Sequence, residues 1–185
     1  MSGLSSLWLA IVVAAIAVFV ASSLIHMVFK WHSAEYRPLS NEDAVMAALR
    51  AGAPTPGQYV LPHCNDMKRM QEAAMLAKYH AGPVGFVTLI KSGPPAMGKS
   101  LSLWFVLNVV IAALAAGVTW QSLGANAHAH VAAHLIGIIS FLAYAGGSVQ
   151  NGIWMGKPWS AVAKDLLDAL IYGTVSALVF MWLWP

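Results

Sequence analysis

SLSLWFVLNVVIAALAAGVTWQSLGANAHAHVAAHLIGIISFLAYAGGSVQNGIWMG, residues 100–156, contains no Asp, Glu, Lys or Arg. A helix needs about 20 apolar residues to cross a hydrocarbon core roughly 30 Å thick, so this stretch is long enough for two crossings. Its one polar break is Gln121-Ser-Leu-Gly-Ala-Asn-Ala-His128, a Gly- and Asn-containing turn. The break predicts spans at about 101–121 and 130–148. Met1–Phe29 and Ala169–Pro185 are equally free of fixed charge. The first holds one span within residues 1–29. The second, extended back to Ser160, holds another at about 160–184. The fold class expected is an all-α integral membrane protein with four transmembrane helices.

Composition agrees. The chain has 185 residues, is 59% hydrophobic and only 9% charged, against about 25% charged for an average soluble domain. Such apolarity also excludes intrinsic disorder. Cys64 is the single cysteine, which rules out an intrachain disulfide framework and a multi-cysteine metal site. A net charge of +3 is too small to point to nucleic acid; the partner it fits is the lipid bilayer. The apolar run Leu7–Val28 exceeds a signal-peptide core, no basic segment precedes it, and Lys30 follows at once. It reads as a retained span.

Four spans put all ten Lys and Arg in, or next to, loops on one side of the membrane. Those near span ends, Lys30, Arg37, Lys91, Lys99, Lys157 and Lys164, carry the orienting weight. Both termini are therefore expected outside the cytoplasm and residues 30–100 inside it. Trp8, Trp120, Trp182 and Trp184 then form an outer aromatic belt, and Trp31, Trp104, Trp154 and Trp159 an inner one.

Within residues 30–100, Ser40-Asn-Glu-Asp43 offers a cap and first-turn acids for a short helix over 42–51, ended by Gly52 and Pro54. Asn65-Asp66 precedes a second amphipathic segment over 66–80, with Met67, Met70, Ala74 and Lys78 at helical spacing. Gln58–Leu61 and Val84–Ile90 are β-prone runs able to pair. Gly93-Pro-Pro-Ala-Met-Gly-Lys-Ser100 matches a phosphate loop letter for letter. The helix after it is a charge-free span, however, and no run of parallel strands surrounds it. Lys99 reads as a headgroup anchor and nucleotide binding is not expected.

Three features carry candidate chemistry. His128, His130 and His134 lie where the third span begins, the last two on one helical face. Neutral imidazoles so placed suit Zn²⁺ or Cu²⁺, although no Asp, Glu or Cys lies on that side to complete the set. Otherwise no cofactor is expected: His26 and His134 differ in depth by roughly 20 Å at 1.5 Å per residue, too far to share a haem. Second, Lys164, Asp165 and Asp168 open the fourth span. A carboxylate inside a membrane demands a partner, and Asp168 is expected to pair with Lys164 one turn away or to reach the water by snorkelling. Asn108, Tyr144 and Tyr172 join these three in an expected intramembrane polar network. Third, Cys64 adjoins His63, but neighbouring residues rarely present both groups to one atom and no third group orients them.

Gly82-Pro-Val-Gly85, Ser92-Gly-Pro-Pro-Ala-Met-Gly-Lys99, Leu170-Ile-Tyr-Gly173 and Trp182-Leu-Trp-Pro185 together resemble a family of small, uncharacterised bacterial four-helix inner-membrane proteins. The resemblance runs from about Pro56 onward and implies a bacterial inner-membrane location. It brings no catalytic or binding residues. The expectation is therefore a non-enzymatic accessory or interaction subunit that binds another membrane protein or itself. Its rival is a small metal-handling or transport protein using His128, His130 and His134.

Overall fold

The computed structural model describes residues 5–124 and 126–185. Residues 5–36 and 96–185 form one compact unit and residues 37–95 another. In the first, α1 spans Trp8–Ser23 and continues as a π-helical turn over Leu24–Phe29. The helices α4 (Met97–Leu123), α5 (Ala129–Met155) and α6 (Trp159–Leu183) complete it. All four are long and apolar enough to cross a membrane, as a multi-pass membrane protein requires. The first lies within the expected residues 1–29, whereas α4, α5 and α6 begin earlier, and α4 and α5 also run later, than the charge pattern suggests. The fourth residue of α4 is Ser100, so Gly98-Lys99-Ser100 lie in its first turn. Helix α5 continues through Gln150 and Asn151 to Met155, because polar residues at a span end still fill the helical ladder.

Helix α1 packs on α4 and α6, and α5 packs on α4 and, most extensively, on α6. The result is a closed ring in the order α4, α1, α6, α5. Small residues set the spacing. Ala10, Ala14, Ala112, Ala115, Ala116 and Ala132 are buried together, sealed by Leu7, Ile136 and Phe180. Among the glycines the tightest approach is between α5 and α6, where a Cβ on Gly173 would stand 2.8 Å from the Gly137 carbonyl oxygen. Hydrocarbon solvates leucine as well as protein does, so backbone proximity of this kind drives helix association in lipid. Gly152 makes a similar approach to Val162, whereas Gly146 and Gly147 face open space. Gly156, at φ +70°, ends α5, and Pro158 precedes α6, which makes a tight hairpin.

The aromatic belts are only partly superficial. Trp8, Trp182, Trp154 and Trp159 are exposed, but Trp184 is buried against Trp120, and Trp31 and Trp104 turn inward to donate hydrogen bonds.

In the unit of residues 37–95, α2 covers Glu42–Ala51. The strand β1 (Gly57–Leu61) pairs antiparallel with β2 (Gly85–Leu89), Tyr59 opposite Val87. An all-α description therefore holds for the spans and omits this ribbon. Helix α3 begins at Ala73 and ends at Ala81, later than the expected 66–80. The Asp66 carboxylate accepts from the Lys68 N–H at 2.8 Å, which opens only a single 3₁₀ turn over Arg69–Gln71 before Glu72 takes an extended conformation.

Candidate functional site

The chain leaves the first span by an unusual route. The π-helical turn closes with the Lys30 N–H donating to the Ile25 carbonyl, 2.9 Å away and five residues back. Lys30 itself is left-handed at φ 51°, a conformation that costs a non-glycine residue roughly 1–2 kcal/mol. This reversal brings Trp31, His32 and Glu35 back against α6. Wide π turns are often found at functional sites, and this one carries His26.

Three groups converge on Asp168, which is only 5% exposed. His32 Nε2 lies 2.8 Å from its Oδ2. The Trp31 indole N–H donates to its Oδ1 at 3.2 Å. His26 Nε2 stands 4.0 Å from Oδ2, and the His26 and His32 rings are stacked with centroids 4.8 Å apart and planes 11° from parallel. On its other edge, His32 Nδ1 meets Glu35 Oε1 at 2.8 Å. Lys164 does not pair with Asp168 as expected. Its ammonium donates to the Trp31 carbonyl at 2.6 Å and lies 3.3 Å from Glu35, because the returning 31–35 segment offers it nearer acceptors. Asp165 is held by Lys157 and by the Ser148 hydroxyl of α5.

The other members of the expected network form a neighbouring aromatic layer. The Tyr144 hydroxyl donates to Asn108 Oδ1 at 3.0 Å. Tyr144 and Tyr172 meet edge to face at 5.2 Å, and Trp104 touches both. The Trp104 indole donates to Ser22 at 2.9 Å. Asn108 is fully buried, and its Nδ2 has no hydrogen-bond partner among the described residues; the same holds for the Ser140 hydroxyl.

Two groups of His, Asp and Glu among the described residues have ligand atoms within 4.8 Å of one another: His26–His32–Asp168 and His32–Glu35–Asp165. His128, His130 and His134, the trio favoured by sequence, are exposed and belong to neither. The rings of His128 and His130 do stack, at 5.7 Å. His134 instead borders an open groove of about 470 Å³ between α5 and α6, beside Phe141, Gly173 and Met181. Cys64 is partly exposed and its thiol donates to the Asp66 carbonyl at 3.4 Å. The phosphate-loop string follows β2, whose only strand partner among the described residues is the antiparallel β1. Sequence reasoning missed His32 and Glu35 altogether and placed Trp31 only in the inner aromatic belt. The available signal was local: an i, i+3 His–Glu pair immediately after a span.

No family model, curated protein or solved structure matches the chain.

Proposed function

We propose that the protein is a non-enzymatic interaction subunit of the bacterial inner membrane, binding another membrane protein or a second copy of itself. The termini are periplasmic in this reading and residues 30–100 cytoplasmic. The observation that carries it is that not one residue of 37–95 is buried. A domain of about 60 residues is marginal even with a hydrophobic core, and a two-stranded ribbon alone is barely stable in water. Here the lone Cys64 permits no internal disulfide. Met67, Val84, Phe86 and Ile90 are each more than half exposed. A segment so built gains order by being covered, and a macromolecular partner supplies the cover.

The test is the mass of the particle extracted from its native membrane in mild detergent. A complex or oligomer, dissociated by Phe86→Ser with Ile90→Ser, supports the reading. A lone 19.7 kDa polypeptide refutes it. The rival, metal handling by His128, His130 and His134, draws on the stacking of the first two rings. It predicts stoichiometric Zn or Cu that disappears with His130→Ala and His134→Ala.

A further inference from the structure

We infer that His26, His32 and Asp168 form a binding site for one divalent transition-metal ion of the Zn²⁺ class. The site is distinct from the trio at residues 128–134 and independent of the interaction reading.

The argument begins with protons. His26 Nδ1 lies 3.0 Å from the Ser22 carbonyl oxygen, which can only accept, so the neutral ring carries its hydrogen there. Its Nε2, 4.0 Å from Asp168 Oδ2, is then the nitrogen with a free lone pair. His32 poses a sharper problem. Carboxylate oxygens face both of its nitrogens at 2.8 Å, yet a neutral imidazole has a single N–H. If Glu35 takes that hydrogen, a bare nitrogen and a bare carboxylate oxygen confront each other at the Asp168 side. Such a contact needs a positive charge between the atoms, either a second proton or a cation.

Geometry favours a cation that both rings share. The three donor atoms, His26 Nε2, His32 Nε2 and Asp168 Oδ2, all lie within 4.8 Å of one another. Ligands about 2.0–2.1 Å from a tetrahedral ion stand roughly 3.3 Å apart, and the observed separations of 2.8 and 4.0 Å from Oδ2 bracket that value. Closing the shell requires side-chain shifts that bring His26 nearer and aim both near-parallel rings at one point. Each ligand also has an outer partner that fixes its orientation: Ser22 O for His26, Glu35 for His32, and the Trp31 indole for Asp168. Carboxylate-backed histidine and hydrogen-bonded carboxylate are the usual outer supports of such ions. The His26 side chain is 53% exposed, against 7% for Asp168, so one side stays open for a water ligand and for entry. Two imidazoles and one carboxylate suit Zn²⁺, Cu²⁺ or Ni²⁺ better than Mg²⁺ or Ca²⁺. The overlapping group His32–Glu35–Asp165 is the weaker candidate, because Lys164, Lys157 and Ser148 already occupy its carboxylates.

The test uses the full-length protein in detergent, stripped with chelator and titrated with Zn²⁺ by calorimetry and with Co²⁺ by visible absorption. One equivalent should bind, with the intense d–d bands of a low-coordinate Co²⁺ site. His26→Ala removes an exposed side chain and should weaken binding at least tenfold, while His130→Ala with His134→Ala leaves it unchanged. Zinc-edge X-ray absorption of the wild type, which needs no variant, should show two imidazole nitrogens among the ligands. Absence of stoichiometric binding, equal affinity in wild type and His26→Ala, loss confined to the 130/134 variant, or a shell of water oxygens would each overturn the assignment.

Discussion

The contact between α5 and α6 yields a quantitative prediction. Replacing Gly173 with Ala places a methyl group 2.8 Å from the Gly137 carbonyl oxygen, 3.2 Å from Phe141 Cβ and 3.3 Å from the Phe141 nitrogen. All three neighbours belong to the backbone or sit next to it, so no side-chain rotation relieves the clash and the helices must separate by several tenths of an ångström. Overpacking of this kind costs typically about 1–3 kcal/mol. Alanine recovers up to about 1 kcal/mol of helix propensity, which leaves a net loss of up to about 2 kcal/mol. For a chain of this length that corresponds to a midpoint lowered by up to about 8 °C. The assay is thermal denaturation in one detergent, followed by helical circular dichroism. Gly146→Ala is the control: it lies on α5 with nothing within 4 Å of its added carbon and should be neutral or slightly stabilising. If Gly173→Ala proves as stable as Gly146→Ala, the close glycine contact does not hold the hairpin together and the packing argument fails.

Two more predictions concern the interior and the topology. Asn108→Leu strands the half-buried Tyr144 hydroxyl and should destabilise by about 1 kcal/mol; adding Tyr144→Phe should restore most of the loss, and strictly additive effects in the double-mutant cycle would disprove the coupling. Cys64, the single and partly exposed cysteine, should react with a membrane-impermeant maleimide only after spheroplasts are lysed, whereas labelling of intact spheroplasts would reverse the proposed orientation.

The spans were legible in the sequence because their signal is one-dimensional: three stretches without a fixed charge and a polar turn between residues 121 and 128 are enough to place four helices. The site was not legible, for a geometric reason. His32 and Asp168 are 136 positions apart, and nothing in spacing announces that a left-handed Lys30 will fold one onto the other. Local spacing also misled. Lys164 and Asp168 stand one turn apart, an arrangement that ordinarily pairs opposite charges, yet the 31–35 segment supplies Lys164 with different acceptors. The residues 128–134 drew attention through helical periodicity, whereas the histidines that meet a carboxylate are six apart and separated by the end of a helix. The late start of α3 has a similar origin, since a capping aspartate opens a turn without obliging a helix to follow.

The pairing of α1 with α6 sets an order of events during biosynthesis. The segment carrying Trp31, His32 and Glu35 leaves the ribosome 136 residues ahead of Asp168, a delay of roughly 7–27 s at ordinary elongation rates. Late in that interval the first span can lean on α4, and Ser22 and Glu35 already reach His26 and His32, but the carboxylate that the two histidines face is still missing. The earliest helix made is thus completed by the latest, and a nascent chain arrested before α6 would hold Trp31, His26 and His32 without the Asp168 carboxylate that gathers them.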